Sequence, residues 1–248
     1  MTDTTSLRIA SLLTISCIVL HCWTFSVEGL IQSVIILAVL ITAPLALQQL
    51  IHADQLHPFV ILWLKRLWLP AAIGVALSSF LPIGIWATIS ALPWWLCSLL
   101  VLGNAVGKGL ILFSKLFQTR SGAMAAMTQL AFSFAQGYWI VGTSWLLLSR
   151  LGFYGIPPLE FSSTVVILTA MHFHYAGLIA TTFTGRIGQL LPTDNVLIKG
   201  LYAWTMIGVT VGTPLIAYGI TFSPVIELVS ASLLASGLCS LAILILWQ

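Results

Sequence analysis

Residues 197–247 read LIKGLYAWTMIGVTVGTPLIAYGITFSPVIELVSASLLASGLCSLAILILW, and Lys199 and Glu227 are the only charges among them. The hydrocarbon core of a bilayer is about 30 Å thick, so a helix needs about 20 mostly apolar residues to cross it. The stretch holds two such runs, 197–220 and 225–247, separated by Thr221-Phe222-Ser223-Pro224. Proline lacks an N–H and breaks a helix interior, so this tetrapeptide reads as the turn of a helical hairpin.

The same pattern recurs toward the N-terminus at 7–24, 30–50, 66–81, 84–106, 123–148 and 161–183. Leu81-Pro82-Ile83-Gly84 makes a second proline turn, and Phe25 to Gly29 a third short connection. The expected fold is an all-α polytopic bundle of eight spans in one transmembrane domain over residues 1–248. Seven spans, reached by merging one of the proline pairs, is the second choice. Arg8 followed by an apolar run resembles a signal peptide, but Thr14, Ile15 and Ser16 before Cys17 do not make a lipoprotein site. The segment 7–24 is therefore expected to be a retained first helix.

Composition agrees. Of 248 residues, 9 are Lys or Arg and 6 are Asp or Glu, so 6% are charged while 59% are hydrophobic. Soluble domains carry about 25% charge, and no soluble fold of this size could keep so much apolar surface from water. Soluble, disordered, fibrous and nucleic-acid-binding classes are excluded, and the bilayer is the main partner. The net charge of +3 reflects scarce acids rather than a basic patch. Cys17, Cys22, Cys97 and Cys239 lie inside apolar runs without CxxC spacing, which reads as packing rather than redox or metal chemistry.

With the N-terminus inside, Arg8, Lys65, Arg66, Lys108, Lys115, Arg120, Arg186 and Lys199 fall on the cytoplasmic side, and Arg150 alone falls outside. This is the positive-inside bias. It predicts an even number of spans, both termini in the cytoplasm, and a bacterial inner membrane as the simplest setting. The segment 107–122 is expected to lie along the inner interface. Most of the tryptophans fall near span ends or in pairs such as Trp94-Trp95, as interface belts and packing require. The two proline hairpins do not amount to an inverted repeat of the transporter kind. Pro44, Pro93 and Pro214 interrupt spans without symmetry.

Polar groups at depth are the informative ones in a membrane chain. The densest set is Thr169-Ala170-Met171-His172-Phe173-His174-Tyr175 in the sixth span. Residues two apart on a regular helix point about 200° apart, so His172 and His174 can share one ligand only if the helix is distorted. They read as proton donors or acceptors, or as hydrogen-bonded bridges between helices. Glu28, Glu160 and Glu227 begin spans at one predicted depth, and His21 ends the first span at the same side. They are either solvated first-turn acids or acids converging on an outward pocket, with Glu227 the one most expected inside. Gln129 and Gln136 lie seven apart on one helix face, near Ser133 and Tyr138, and Asn104 is similar. The loop residues His52, Asp54 and His57 have a spacing that a metal tolerates, but a solvated loop explains them better.

Absent motifs exclude several enzymes. HExxH and Gly-x-Ser-x-Gly are missing. So are paired aspartate-rich motifs for a diphosphate with magnesium. The histidines are too few for a membrane di-iron centre, and no lysine in the last spans could form a retinal Schiff base. Haem would need facing axial histidines, for which only His21 is available outside the sixth span.

The segment 168–177, LTAMHFHYAG, is similar to the LTAxHFHxAG stretch of the bacterial YndJ-like membrane protein family, and Trp-Leu-Leu-Leu-Ser-Arg at 145–150 precedes it in a similar layout. The resemblance implies a polytopic membrane fold and gives priority to His172 and His174. Members of that family are sometimes labelled transporters, and the resemblance supplies no substrate.

Two functions from different classes remain. The first is an intramembrane enzyme that isomerises, cyclises or opens an epoxide in a lipophilic small molecule by acid–base chemistry, without cofactor or metal. His172, His174, Tyr175, Glu160 and Glu227 are its catalytic candidates, and Glu28, His21, Gln129 and Gln136 its binding candidates. Aromatic residues, 11% of the chain, would suit a cationic intermediate. The second is a small-solute or proton-coupled transporter in which the same groups form a relay. A non-catalytic role beside a partner in a membrane complex is a third.

Overall fold

The computed structural model describes residues 4–22, 26–116, 123–157, 159–192 and 195–247, and side chains for all of these except 4, 21, 22, 109–116, 123 and 156. Its helices are α1 (Thr4–Cys22), α2 (Val27–Leu37), α3 (Ala43–His52), α4 (Pro58–Ser78), α5 (Ile85–Leu116), α6 (Ala123–Leu151), α7 (Ser163–His172), α8 (Thr181–Leu190), α9 (Val196–Phe222) and α10 (Pro224–Trp247). α2 runs into α3 through a π-helical segment, Ala38–Thr42, and α7 into α8 through another, Phe173–Ala180. A two-residue antiparallel hairpin, β1 (Gly155–Ile156) and β2 (Leu159–Glu160), precedes α7.

The caps explain where these helices start. Ser26, Ser162 and Asn195 are extended residues whose side chains accept N–H groups of the first turns of α2, α7 and α9. α4 starts earlier than the sequence suggests. The His57 side chain accepts the Phe59 N–H and Pro58 occupies the first helical position, where its missing N–H costs nothing. Lys65 and Arg66, which read as the loop before a span beginning at 66, instead sit on the exposed face of α4. Long basic side chains can lie there with apolar stems on the helix and charged heads at the interface.

Among the described residues, six continuous helices are long and apolar enough to cross a membrane: Val27–His52, Pro58–Ser78, Ile85–Lys108, Ser163–Leu190, Val196–Phe222 and Pro224–Trp247. α1 has a shorter apolar stretch, Thr5–Leu20. α6 is 29 residues long but includes Thr128, Gln129, Gln136, Thr143, Ser149 and Arg150, which dilute its apolar character. The chain is thus an all-α polytopic bundle. Both proline pairs are separate helices around a turn, α4 with α5 through residues 79–84 and α9 with α10 through Ser223. A Cβ at Gly208 would meet the Gly237 backbone, one at Gly212 the Leu234 backbone, and one at Gly219 the Glu227 backbone. As one number rises the other falls, so α9 and α10 run antiparallel with touching backbones.

The core gathers Ile35, Ile36, Leu40 and Leu47 of the continuous helix Val27–His52 with Trp68, Trp94, Phe132 and Trp139, all 2% exposed or less. The outward residues are also apolar. Leu12, Ile15, Val225, Leu228 and Leu246 are each at least 60% exposed. Water would not tolerate that surface, and lipid does.

Candidate functional site

The histidine pair divides at the π-segment. His172 ends α7, and Phe173 begins the irregular turn before His174. His174 is fully buried. Its Nδ1 lies 2.8 Å from the Ala170 carbonyl, and its Nε2 lies 3.3 Å from the Trp94 indole nitrogen. Indole N–H only donates. Nε2 is therefore the acceptor, the proton sits on Nδ1, and the ring is neutral with both nitrogens used. Gly142 makes room for it, since a Cβ there would fall 2.9 Å from Nδ1. His172 is half-buried and its Nε2 donates to the Thr213 carbonyl of α9 at 3.0 Å. Tyr175 donates to the Val34 carbonyl of α2 at 2.9 Å. These three side chains bind three different helices, α5, α9 and α2, to the continuous helix of α7 and α8. The distortion occurs, yet it does not point both imidazoles at one ligand.

The glutamines also divide. Gln136 is buried, donates to the Phe132 carbonyl at 3.0 Å and accepts from Asn104 at 2.7 Å. Asn104 in turn donates to the Gln55 carbonyl and accepts the His57 N–H, while Lys108 donates to the Asp54 carbonyl. Together they fasten the 53–57 loop to α5 and α6. Gln129, about two turns from Gln136 on α6, is half-buried and takes no part in these bonds. Asp54 itself has φ +56° in that turn. Among the described residues no group of three or more His, Cys, Asp or Glu side chains is placed to hold a metal.

The acids do not converge. Glu160 lies in β2, before the Ser162 cap rather than in the helix, and is exposed. Glu227 lies in the first turn of α10 and is exposed, because its backbone rather than its side chain packs on Gly219. The side chain of His21 lies outside the described residues. Of the acidic candidates, Glu28 lines a cavity.

That cavity, of about 450 Å³, lies at the end of the bundle where α2 and α7 begin and α6 ends. Ser26, Glu28 and Gln32 line one side, Ser79, Leu81 and Ile83 a second, Ser149, Arg150 and Tyr154 a third, and Ser163, Thr164 and Ile167 a fourth. Its size is typical of small-molecule sites. Arg150 is 5% exposed. Its Nη2 donates to Gln32 Oε1 at 2.5 Å, while its Nε has no partner. Glu28 and Tyr154 lie within electrostatic reach of the guanidinium. The Arg150 carbonyl accepts the Gly84 N–H at 2.8 Å, which ties the end of α6 to the 79–84 turn. Arg150, Gln32 and Tyr154 were not candidates in the sequence. The signal that could have found Arg150 was its standing alone on the side that the charge bias leaves bare.

A bundle of apolar helices with lipid-compatible outer faces is an integral membrane protein, here with a polar cavity over a buried arginine at one end. The sequence profile of the YndJ-like protein family matches residues 33–248, and the chain belongs to that family. The uncharacterized membrane protein YndJ of Bacillus subtilis (strain 168) is 29% identical over 75 residues, which are 30% of this chain and only 13% of that protein's length. No solved structure shows a significant match.

Proposed function

We propose that this protein is an intramembrane enzyme of a bacterial inner membrane that performs acid–base chemistry on a lipophilic small molecule in the cavity over Arg150. The observation that carries the reading is the buried guanidinium with an unpartnered Nε, in one cavity lining with Glu28 and Tyr154. A buried charge with unfilled hydrogen-bonding capacity is costly, and a ligand oxygen would offset that cost. Arg150 anchors the ligand and stabilises negative charge that develops on it. Glu28 takes a proton from one atom and returns it to another, so an isomerisation or cyclisation closes without a co-reactant. The exposed apolar rim of Val27, Leu81 and Ile83 gives a greasy substrate a path from the bilayer. Eight crossings with both termini in the cytoplasm, which the distribution of Lys and Arg supports, put this cavity on the outer side. The bilayer is the partner that this reading requires; nucleic acid has no place in it.

Transport is the second reading, and the two π-segments favour it. Ala38–Thr42 and Phe173–Ala180 touch within the bundle, and irregular turns of this kind often mark functional positions. One experiment separates the two. Lipophilic metabolites are profiled in cells with the gene, without it, and with Arg150→Gln or Glu28→Gln. An unconverted precursor that accumulates in the deletion and both variants supports the enzyme. Unchanged structures with an altered inside-to-outside distribution support transport. Profiles that match in all four strains overturn both.

A further inference from the structure

We infer that the ligand of this cavity carries a phosphodiester and a primary ammonium group side by side, as a phosphoethanolamine headgroup does. The inference rests on the reading of the cavity as the ligand site, and it holds for catalysis and for transport.

The anionic half follows from three groups that meet there. Arg150 supplies a buried positive charge. α2 and α7 both begin at the cavity, with Val27 and Glu28 of the one and Ser163 and Thr164 of the other in its lining. The first N–H groups of a helix have no intrahelical partner. The caps here take the later ones: Ser26 Oγ accepts Gly29 N–H at 3.0 Å, and Ser162 Oγ accepts Val165 N–H at 3.2 Å. Two positive helix ends and a guanidinium are a strong anion site.

The cationic half follows from Glu28. A carboxylate in the same lining repels a simple anion, so the cavity is not built for phosphate or a fatty acid alone. Paired with Arg150 it offers both signs, which selects a zwitterion. Ser79 and Ser149 each donate their hydroxyl to a carbonyl of their own helix, at 2.6 Å, and so keep oxygen lone pairs as acceptors. A primary ammonium has three N–H donors for such oxygens and for Glu28. A quaternary ammonium has none. The exposed apolar rim, with Val27 at 74% and Ile83 at 55%, is where the chains of a lipid would lie.

The test uses the full chain purified in detergent and native mass spectrometry. Phosphatidylethanolamine, phosphatidylcholine and phosphatidylglycerol with identical acyl chains are added in turn. The expected result is retention of phosphatidylethanolamine about tenfold above the other two, a margin worth about 1.4 kcal/mol. Glu28→Gln should erase the preference over phosphatidylglycerol, and Arg150→Lys should keep more of it than Arg150→Gln. Since Arg150→Gln risks misfolding, the exposed Glu28 decides. Equal retention of the three lipids, or a preference indifferent to Glu28→Gln, overturns the inference. Competition by free phosphoethanolamine assigns the site to the soluble headgroup; retention that phosphoethanolamine cannot displace assigns it to the lipid. A Glu28-dependent preference without any change in metabolite profile leaves the ligand standing and removes the enzyme. Conversion in cells without headgroup preference does the reverse.

Discussion

His174 and Arg150 are both buried polar side chains in a lipid-exposed bundle, and their partners distinguish them. The His174 ring is bonded at both nitrogens and fixed in one tautomer, which is what a histidine that ties helices together requires. Arg150 keeps a donor without a partner. Trp94→Phe tests the first assignment, because it leaves the His174 Nε2 acceptor buried and unpaired. The expected loss is about 1–3 kcal/mol of unfolding free energy, read as a lowered thermal midpoint in detergent. Trp95→Phe is the comparison, since its bond to half-buried Ser144 can be replaced by water or lipid headgroups. Equal midpoints for the two variants would show that the indole does not hold His174. Sequence made the His172, His174 and Tyr175 cluster legible as polar groups at depth, but not their partners, because Trp94, Thr213 and Val34 are 41 residues or more away along the chain. It made Arg150 legible only as a charge, because burial depends on Gln32 and the 79–84 turn closing over it.

At the scale of elements, helix positions were legible wherever a run of apolar residues met a proline turn or a capping residue, as at Ser223-Pro224. They were not legible where a charge stood inside a helix, as at Lys65 and Arg66, or where a helix kept its apolar pattern but changed its winding, as at Phe173–Ala180. The pairing of α9 with α10 was legible as a hairpin, but the closeness of their backbones was hidden, because its determinants are glycines that look like breakers. A Cβ at Gly208 would lie 2.7 Å from the Gly237 Cα, and one at Gly237 2.8 Å from the Gly208 Cα. Backbone atoms cannot step aside, so Gly208→Ala and Gly237→Ala should each force the helices apart. The expected cost is about 1–3 kcal/mol. Gly103 and Gly200 have nothing within 4 Å of an added Cβ. Gly103→Ala and Gly200→Ala should leave stability unchanged or raise it by about 0.5–1 kcal/mol, since alanine loses less backbone entropy in a helix. Thermal unfolding of the four variants checks the contrast. A tolerated Gly208→Ala beside a damaging Gly103→Ala would refute the packing of α9 on α10.

For the whole molecule, the issue is which end faces the cell. The bundle has two polar ends: one carries Glu28, Arg150 and Tyr154 around the cavity, the other the 53–57 loop fastened by Asn104 and Lys108. Basic residues mark the second end, since Lys108 binds it directly and Arg186 pairs with Gln189, which reaches the Ala53 carbonyl. The first end has Arg150, which is buried and offers no surface charge to an insertion machinery that holds exposed basic loops inside. Burial thus removes the one exception to the charge bias, and the cavity end should face outward. Phe153→Cys and Asp54→Cys, each in a chain freed of its own cysteines, report the two ends, because both positions are exposed. A membrane-impermeant thiol reagent on intact cells should label position 153 and spare position 54 until the cells are opened. The reverse pattern would place the cavity in the cytoplasm, where a ligand of the inner leaflet would reach it. Labelling of both positions in intact cells would mean that residues 54 and 153 share a side, and the bundle's end-to-end arrangement would be wrong. Labelling at 153 alone fits an even number of crossings between the N-terminus and the 53–57 loop, which requires α1 to cross despite its short apolar stretch. Fluorescent and enzymatic reporters fused at the N-terminus then fix that helix: a cytoplasmic N-terminus with a position 54 that is spared in intact cells is compatible only with α1 as a full span, since Val27–His52 is the other crossing between them.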